Sequence, residues 1–182
     1  MRELSLHLLD IAENGLRAGA DLIELTIEES IGDDRLIITV ADNGKGMPQE
    51  KLKDPSDPFI TTRTVRRVGL GLSLLSAAAQ RCDGNLEIDS APGKGTKVTA
   101  SFRHSHIDRA PIGDMAGTLA TLIMGNPQID YVYTHWIDGR DFSLDTREIK
   151  AQMPDLSLQD PAVIHHLTEM IRSNLEQLAA AP

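Results

Sequence analysis

The stretch from Leu22 to Ala41 constrains this chain more than any other. Leu22, Glu24, Thr26 and Glu28 alternate with Ile23, Leu25 and Ile27, a period of two that marks a half-buried strand. Gly32-Asp33-Asp34 is a hairpin signal, and Leu36 to Ala41 is a second, nearly continuous apolar strand. Two neighbouring strands are thereby specified near the start of the chain, and the remaining elements have to pack on them.

Arg2 to Ala18 reads as an amphipathic helix through Leu4, Leu8, Ile11 and Leu16, with Gly19 as its stop. Asp42 to Met47 (DNGKGM) breaks regular structure, and Pro48 to Val68 reads as a long loop with three prolines, many charges and little periodicity. Gly69 to Arg81 restarts as a helix with Leu70, Leu74, Ala77 and Ala78 inward. Leu86 to Asp89 and Thr96 to Phe102 are two more strands around the turn Ala91 to Gly95. The order predicts an α+β fold, an open mixed sheet with helices on one face. After Arg103 a polar connection leads to a helix over Met115 to Met124. Then come a strand over Ile129 to Trp136, a possible partner over Phe142 to Thr146, and a last helix capped by Asp160-Pro161. Val163, Leu167, Ile171, Leu175 and Leu178 mark the buried face of that helix, and Tyr131, Tyr133 and Trp136 are expected to pack. Residues 1–103 and 104–182 divide the chain into a first domain and a small α/β extension of unknown role.

Composition narrows the function. Aromatics are 3% of the 182 residues, so the core is expected to be Leu, Ile, Val and Ala. A formal charge of −9 argues against a nucleic-acid surface, which needs a basic face. It does not argue against a nucleotide, because net charge does not describe a pocket. The single cysteine, Cys82, allows neither an internal disulfide nor a zinc cluster and reads as a buried thiol. No signal segment opens the chain and no apolar run approaches the ~18–20 residues of a membrane span. The expectation is a soluble, cytoplasmic protein, with His104, His106, His165 and His166 as ordinary surface histidines.

Four clusters of residues can carry chemistry. Asp10, Asn14 and Arg17 project from one side of the first helix, where a carboxylate can orient water, an amide oxygen can ligate Mg²⁺ and a guanidinium can meet phosphate. A solvated helix face gives the same pattern. Asp42 ends the most apolar strand, and Gly44 and Gly46 let backbone approach a ligand there, although a plain turn also fits. Gly69, Gly71 and Ser73 open a helix, a ready anion site or simply a helix start. Phe59, Thr61, Thr62 and Arg63 lie in a loop that can close over phosphate or merely be solvated.

Taken in order, with Ser90-Ala-Pro-Gly-Lys-Gly-Thr96, these clusters resemble the N, G1, F and G2 boxes of the GHKL superfamily, which includes gyrase-type topoisomerases, mismatch-repair ATPases and histidine kinases. ENGLRAGADLIELTIEE and VADNGKGM look most like a mismatch-repair ATPase. DPFITTRT, VGLGLSLL and SAPGKGT look most like the catalytic domain of a sensor histidine kinase. The resemblance spans residues 1–103 and implies a Bergerat-type α/β sandwich that binds ATP and Mg²⁺. It implies Asn14 as the Mg²⁺ ligand, Arg17 near the phosphates and Asp42 as acceptor of the adenine amino hydrogen. Gly44, Gly46, Met47 and Thr96 would shape the adenine pocket. Gly69, Leu70, Gly71 and Leu72 would wrap the phosphates, and Pro48 to Val68, with Thr61, Thr62 and Arg63, would be the lid.

The chain departs from the family in two ways. Asp10 stands where the ATPases carry a glutamate as general base, and its shorter side chain shifts a bound water by about 1 Å. The dimerising hairpin with a phosphoacceptor histidine that precedes the ATP domain of a histidine kinase has no counterpart in the chain, and His7 lies inside the first helix. The first expectation is an ATP-dependent kinase or ATPase that transfers phosphoryl to a partner protein or water, with Asp10 as catalytic base. The alternative is a non-catalytic ATP switch read out by a partner. The sequence leaves a homodimer open.

Overall fold

The computed structural model describes residues 3–48 and 70–180. In chain order α1 (Leu4–Arg17) leads into β1 (Leu22–Ser30) and β2 (Arg35–Asp42), and α2 (Leu70–Arg81) leads into β3 (Leu86–Ser90) and β4 (Thr96–Arg103). Then follow α3 (Met115–Gly125), β5 (Asp130–Ile137), β6 (Arg140–Asp145), α4 (Thr146–Gln152) and α5 (Pro161–Ala180). The strands form one mixed sheet in the order β3-β4-β2-β1-β5-β6, in which β5 runs parallel to β1 and the other neighbours are antiparallel.

Alternation in β1 sorts its two faces. Ile23, Leu25 and Ile27 are fully buried while Glu24 and Glu28 are exposed. Register carries that sorting across the sheet, with Leu25 opposite Val40 and Ile27 opposite Ile38, and then Val40 opposite Val98 and Ile38 opposite Ala100. The helices cover this face with Leu4, Leu8 and Ile11 of α1, Leu75 and Ala79 of α2, and Leu119, Leu122 and Ile123 of α3. Each such side chain contributes about 1.5–3 kcal/mol on burial, so Leu25→Ala would cost about 3 kcal/mol at the middle of the layer. The strands and helices after Arg103 continue this sheet and core: Tyr131 and Tyr133 of β5 are buried in the same cluster as Met115, Leu167 and Ile171.

Three expectations change. The inward stripe of α2 is Leu75 and Ala79, continued by Cys82 just after the helix, whereas Leu74 is 45% exposed and Ala77 is also exposed. The helix is turned by about one residue, because the 3–4 spacing fits two adjacent phases of similar apolar content and packing on the sheet selects one of them. Trp136 is 40% exposed, since the pleat that buries Tyr131 and Tyr133 puts an even-numbered neighbour on the other face. The reading of Thr146 as strand gives way to α4, whose N-cap Asp145 accepts from the Arg147 amide. Asp145 and Glu148 have the spacing of a capping box, the signal that would have found this helix.

The register also places the polar residues. Asp42 pairs with Ile23 on one side and Thr96 on the other, and Thr96 pairs with Ser90. Asp42, Thr96 and Ser90 therefore form one row at one end of the sheet, in line with the buried Ile23.

Candidate functional site

Asp42 and Thr96 of that row edge a cleft of about 410 Å³ between the C-terminal half of α1, the start of α2 and the loop after β2. Of the expected site residues, Asn14, Arg17, Asp42, Gly46, Met47, Leu72 and Thr96 line it. Ile11, Gly15, Ala18, Lys45 and Val98 complete its described lining and were not singled out by sequence.

Asp42 is the last residue of β2, and its carboxylate turns toward α1. The Gly44 amide donates to its Oδ1 at 2.9 Å, and the Thr96 amide donates as well. Burial pushes its carboxyl above the ordinary carboxylate value, and the two amide bonds offset only part of that rise. No side-chain cation pairs with it among the described residues. Gly15 explains the close approach: a Cβ there would stand 2.8 Å from the Asp42 Cβ and 3.2 Å from its Oδ2. A glycine in the middle of a helix costs about 1 kcal/mol relative to Ala, so Gly15 was a legible sign that another chain segment lies against α1.

Two glycine turns meet beside Asp42. Gly46, at φ +63°, packs so tightly on the Ala91 carbonyl that a side chain would fall on it, and Gly95, at φ +77°, packs the same way on the Asp42 carbonyl. The Gly93 amide donates to the Lys45 carbonyl at 2.8 Å. Ser90, 5% exposed, bridges both turns: it accepts from the Met47 amide at 2.9 Å and bonds the Gly95 carbonyl at 2.8 Å. Ser90 stood inside a quoted motif but carried no assigned role.

On α1, Arg17 donates to Asn14 Oδ1 at 2.9 Å and also pairs with Glu13, so the guanidinium is drawn along the helix surface. Asp10 is outside the described lining of the cleft. Its Oδ2 rests where a side chain on Gly71 would project, in the first turn of α2. A carboxylate there meets the positive end of that helix. Gly44 supports the loop instead of lining the cleft, with Ala18 Cβ 2.9 Å from where its own Cβ would lie. Leu70 opens α2. Thr61, Thr62, Arg63, Gly69 and, beyond Pro48 itself, the lid expected over Pro48 to Val68 lie outside the described residues.

The model of the histidine kinase-, DNA gyrase B- and HSP90-like ATPase family matches residues 2–106. The chain belongs to that family. Membership implies ATP binding, and the matched residues contain α1, the glycine turns and Thr96.

Several bacterial relatives carry kinase names. Sporulation kinase C of Bacillus subtilis is 38% identical over 88 residues, covering 48% of this chain and 20% of its own length. Sensor histidine kinase YxdK of the same organism is 33% identical over 87 residues, 46% of this chain and 26% of its own length. Sensor histidine kinase ZraS of Klebsiella oxytoca is 33% identical over 93 residues, 50% and 20% respectively. The chain thus spans about a fifth to a quarter of the length of these three relatives. In fold, it resembles the N-terminal domain of a DNA repair protein, with a TM-score of 0.56, 15% identity and coverage of 80% of this chain and 53% of that one. It also resembles the Aquifex aeolicus MutL ATPase domain complexed with ADP, with a TM-score of 0.50, 17% identity and coverage of 80% and 63%.

Proposed function

We propose that this cleft binds Mg-ATP and that the chain is a kinase-like ATPase that passes phosphoryl to a partner protein or to water, in a regulatory role. The observation that carries the reading is Asp42. It is a half-buried carboxylate at a strand end, held among the described residues by amides alone and facing a cleft walled by Ile11, Leu72, Met47 and Val98. Such an acceptor calls for a neutral donor on a flat apolar ligand, and the amino group of adenine is one.

The residues present fit the nucleotide. The cleft volume is within the range of small-molecule sites. Asn14 would offer its amide oxygen to Mg²⁺, and since Arg17 uses only one of that oxygen's lone pairs, one remains. Among the described residues no three acidic, His or Cys side chains are grouped to hold a metal, so the phosphates would have to supply most of its ligands. Arg17 would move from Glu13 toward the phosphates and neutralise charge there. Magnesium bound in this way neutralises phosphate charge. Asp10 would have to leave its seat on Gly71 to orient water.

That seat favours a second reading, a nucleotide switch without turnover in which partner proteins read the bound state. Among the described residues no helix is long and apolar enough to cross a membrane, which fits a cytoplasmic partner. Calorimetric titration with ATP, with and without Mg²⁺, followed by phosphate release separates these readings. Mg²⁺-dependent binding with release that Asp10→Asn abolishes is the expected result. Binding with no release leaves the switch, and no binding removes both.

A further inference from the structure

The hydroxyl of Ser90 sits between three polar groups. It is 5% exposed, accepts from the Met47 amide at 2.9 Å, lies 2.8 Å from the Gly95 carbonyl and lies 3.0 Å from Thr96 Oγ1. A serine hydroxyl has one hydrogen and two lone pairs. The Gly95 carbonyl can only accept, so that hydrogen goes to it. The Met47 amide fills one lone pair, and the second is left for the Thr96 hydroxyl, which must therefore donate. Every valence of Ser90 is then used, and the hydrogen of Thr96 is spent inside the protein. Thr96 lines the cleft beside Asp42. Toward any ligand there, Thr96 Oγ1 can act only as an acceptor.

We propose that Ser90 determines the hydrogen-bonding polarity of the cleft: by taking the Thr96 hydrogen and tying the two glycine turns together, it makes the base-facing edge accept only. The inference rests on the nucleotide reading of the same site. An edge built from the Asp42 carboxylate and an accepting Thr96 hydroxyl suits a base edge with an amino group. It opposes a base that carries a carbonyl at the same place, since acceptors then face an acceptor. Ser90 touches no ligand atom; it acts through Thr96, Met47 and Gly95 and is a positioning residue for selectivity between adenine and guanine nucleotides.

The test is calorimetric affinity for Mg-ATP and Mg-GTP in the whole chain, wild type against Ser90→Ala and Ser90→Thr. Ser90→Ala frees the Thr96 hydroxyl to rotate and donate. It is expected to weaken ATP binding about tenfold and to reduce the ATP-to-GTP affinity ratio about tenfold or more. Ser90→Thr keeps the hydroxyl and restores the ratio. A purely structural serine would lower the melting temperature and weaken both nucleotides alike, so an unchanged ratio overturns the proposal, as does unchanged affinity for both. If Ser90→Ala does not fold, Ser90→Cys, a weak hydrogen-bonding partner of similar size, carries the same comparison. A wild-type chain that binds neither nucleotide overturns the nucleotide reading itself. That outcome is distinct from wild-type ATP binding with a Ser90→Ala ratio that does not move.

Discussion

Two carboxylates stand on the helix-covered face of the same sheet, near its opposite ends, and their surroundings differ in kind. Glu29, near the end of β1, accepts from His135 Nε2 at 2.8 Å on one oxygen and from His104 Nε2 at 2.8 Å on the other. Behind it, His135 Nδ1 meets the Tyr133 hydroxyl at 2.9 Å, and burial pushes that phenol far above its usual value, so it stays a donor. Asp42, at the end of β2, has among the described residues only the backbone amides of Gly44 and Thr96. Burial raises both carboxyls. In Glu29 the two imidazole bonds outweigh it and hold the group below the ordinary value, while in Asp42 burial wins. The described residues complete Glu29 from side chains and supply Asp42 with backbone amides alone. A buried acid satisfied from within stabilises the fold, whereas one left short of donors is poised for a ligand.

The largest effect should come from Asp42→Asn. Replacing the carboxylate by an amide should weaken ATP binding by about a hundredfold, the loss of a charge-assisted bond plus a misplaced donor. Because the folded protein carries Asp42 at a cost, the melting temperature should hold or rise. A fall in melting temperature together with unchanged affinity would reverse the comparison. Glu29→Gln should do the opposite: it should lower the melting temperature by about 5 °C through a lost buried acceptor and leave ATP affinity unchanged.

The pH dependence of stability sharpens the same contrast through the sign of each shift. Glu29 has a folded pKa below its unfolded one, so its stabilisation is complete above the ordinary carboxylate value and is lost as pH falls through the lower folded value. Asp42 has a raised folded pKa, so its ionisation takes stability away as pH rises from the ordinary carboxylate value to the raised one. Urea midpoints measured across the acid range should therefore lose part of their acid-side fall in Glu29→Gln. In Asp42→Asn they should gain stability on the upper side of that window. Parallel curves for both variants and the wild type would contradict both assignments.

The smallest effect tests the helix that lies on Asp42. Gly15→Ala improves helix propensity, yet its Cβ would start 2.8 Å from the Asp42 Cβ. The expected outcome is a melting temperature that changes little and an ATP affinity reduced about threefold, under 1 kcal/mol. A loss of stability with full affinity would mean that α1 moves and Asp42 does not.

Periodicity was enough to read the strands and helices of the first 103 residues, because each is amphipathic and bounded by a glycine, a proline or a polar turn. It failed on the phase of α2 and on Trp136, where two adjacent faces carry similar apolar content and only the sheet chooses between them. Asn14, Arg17, Asp42, Met47 and Thr96 were legible as a constellation because ordered motifs keep their spacing. Ser90 and the seat of Asp10 on Gly71 were not, because a buried hydroxyl or a through-space contact has no period.

What the sequence determined by itself is local: strand alternation, helix stops and glycine turns, each decided by neighbours a few residues apart. Only the tertiary structure decided that β5 pairs in parallel with β1, so that His135 reaches Glu29 from 106 positions away along the chain. It also decided that Ser90, Thr96 and Asp42 fall in one row. Register sets both, and register is chosen when whole apolar faces are buried together, a collective free energy that no short window of sequence contains.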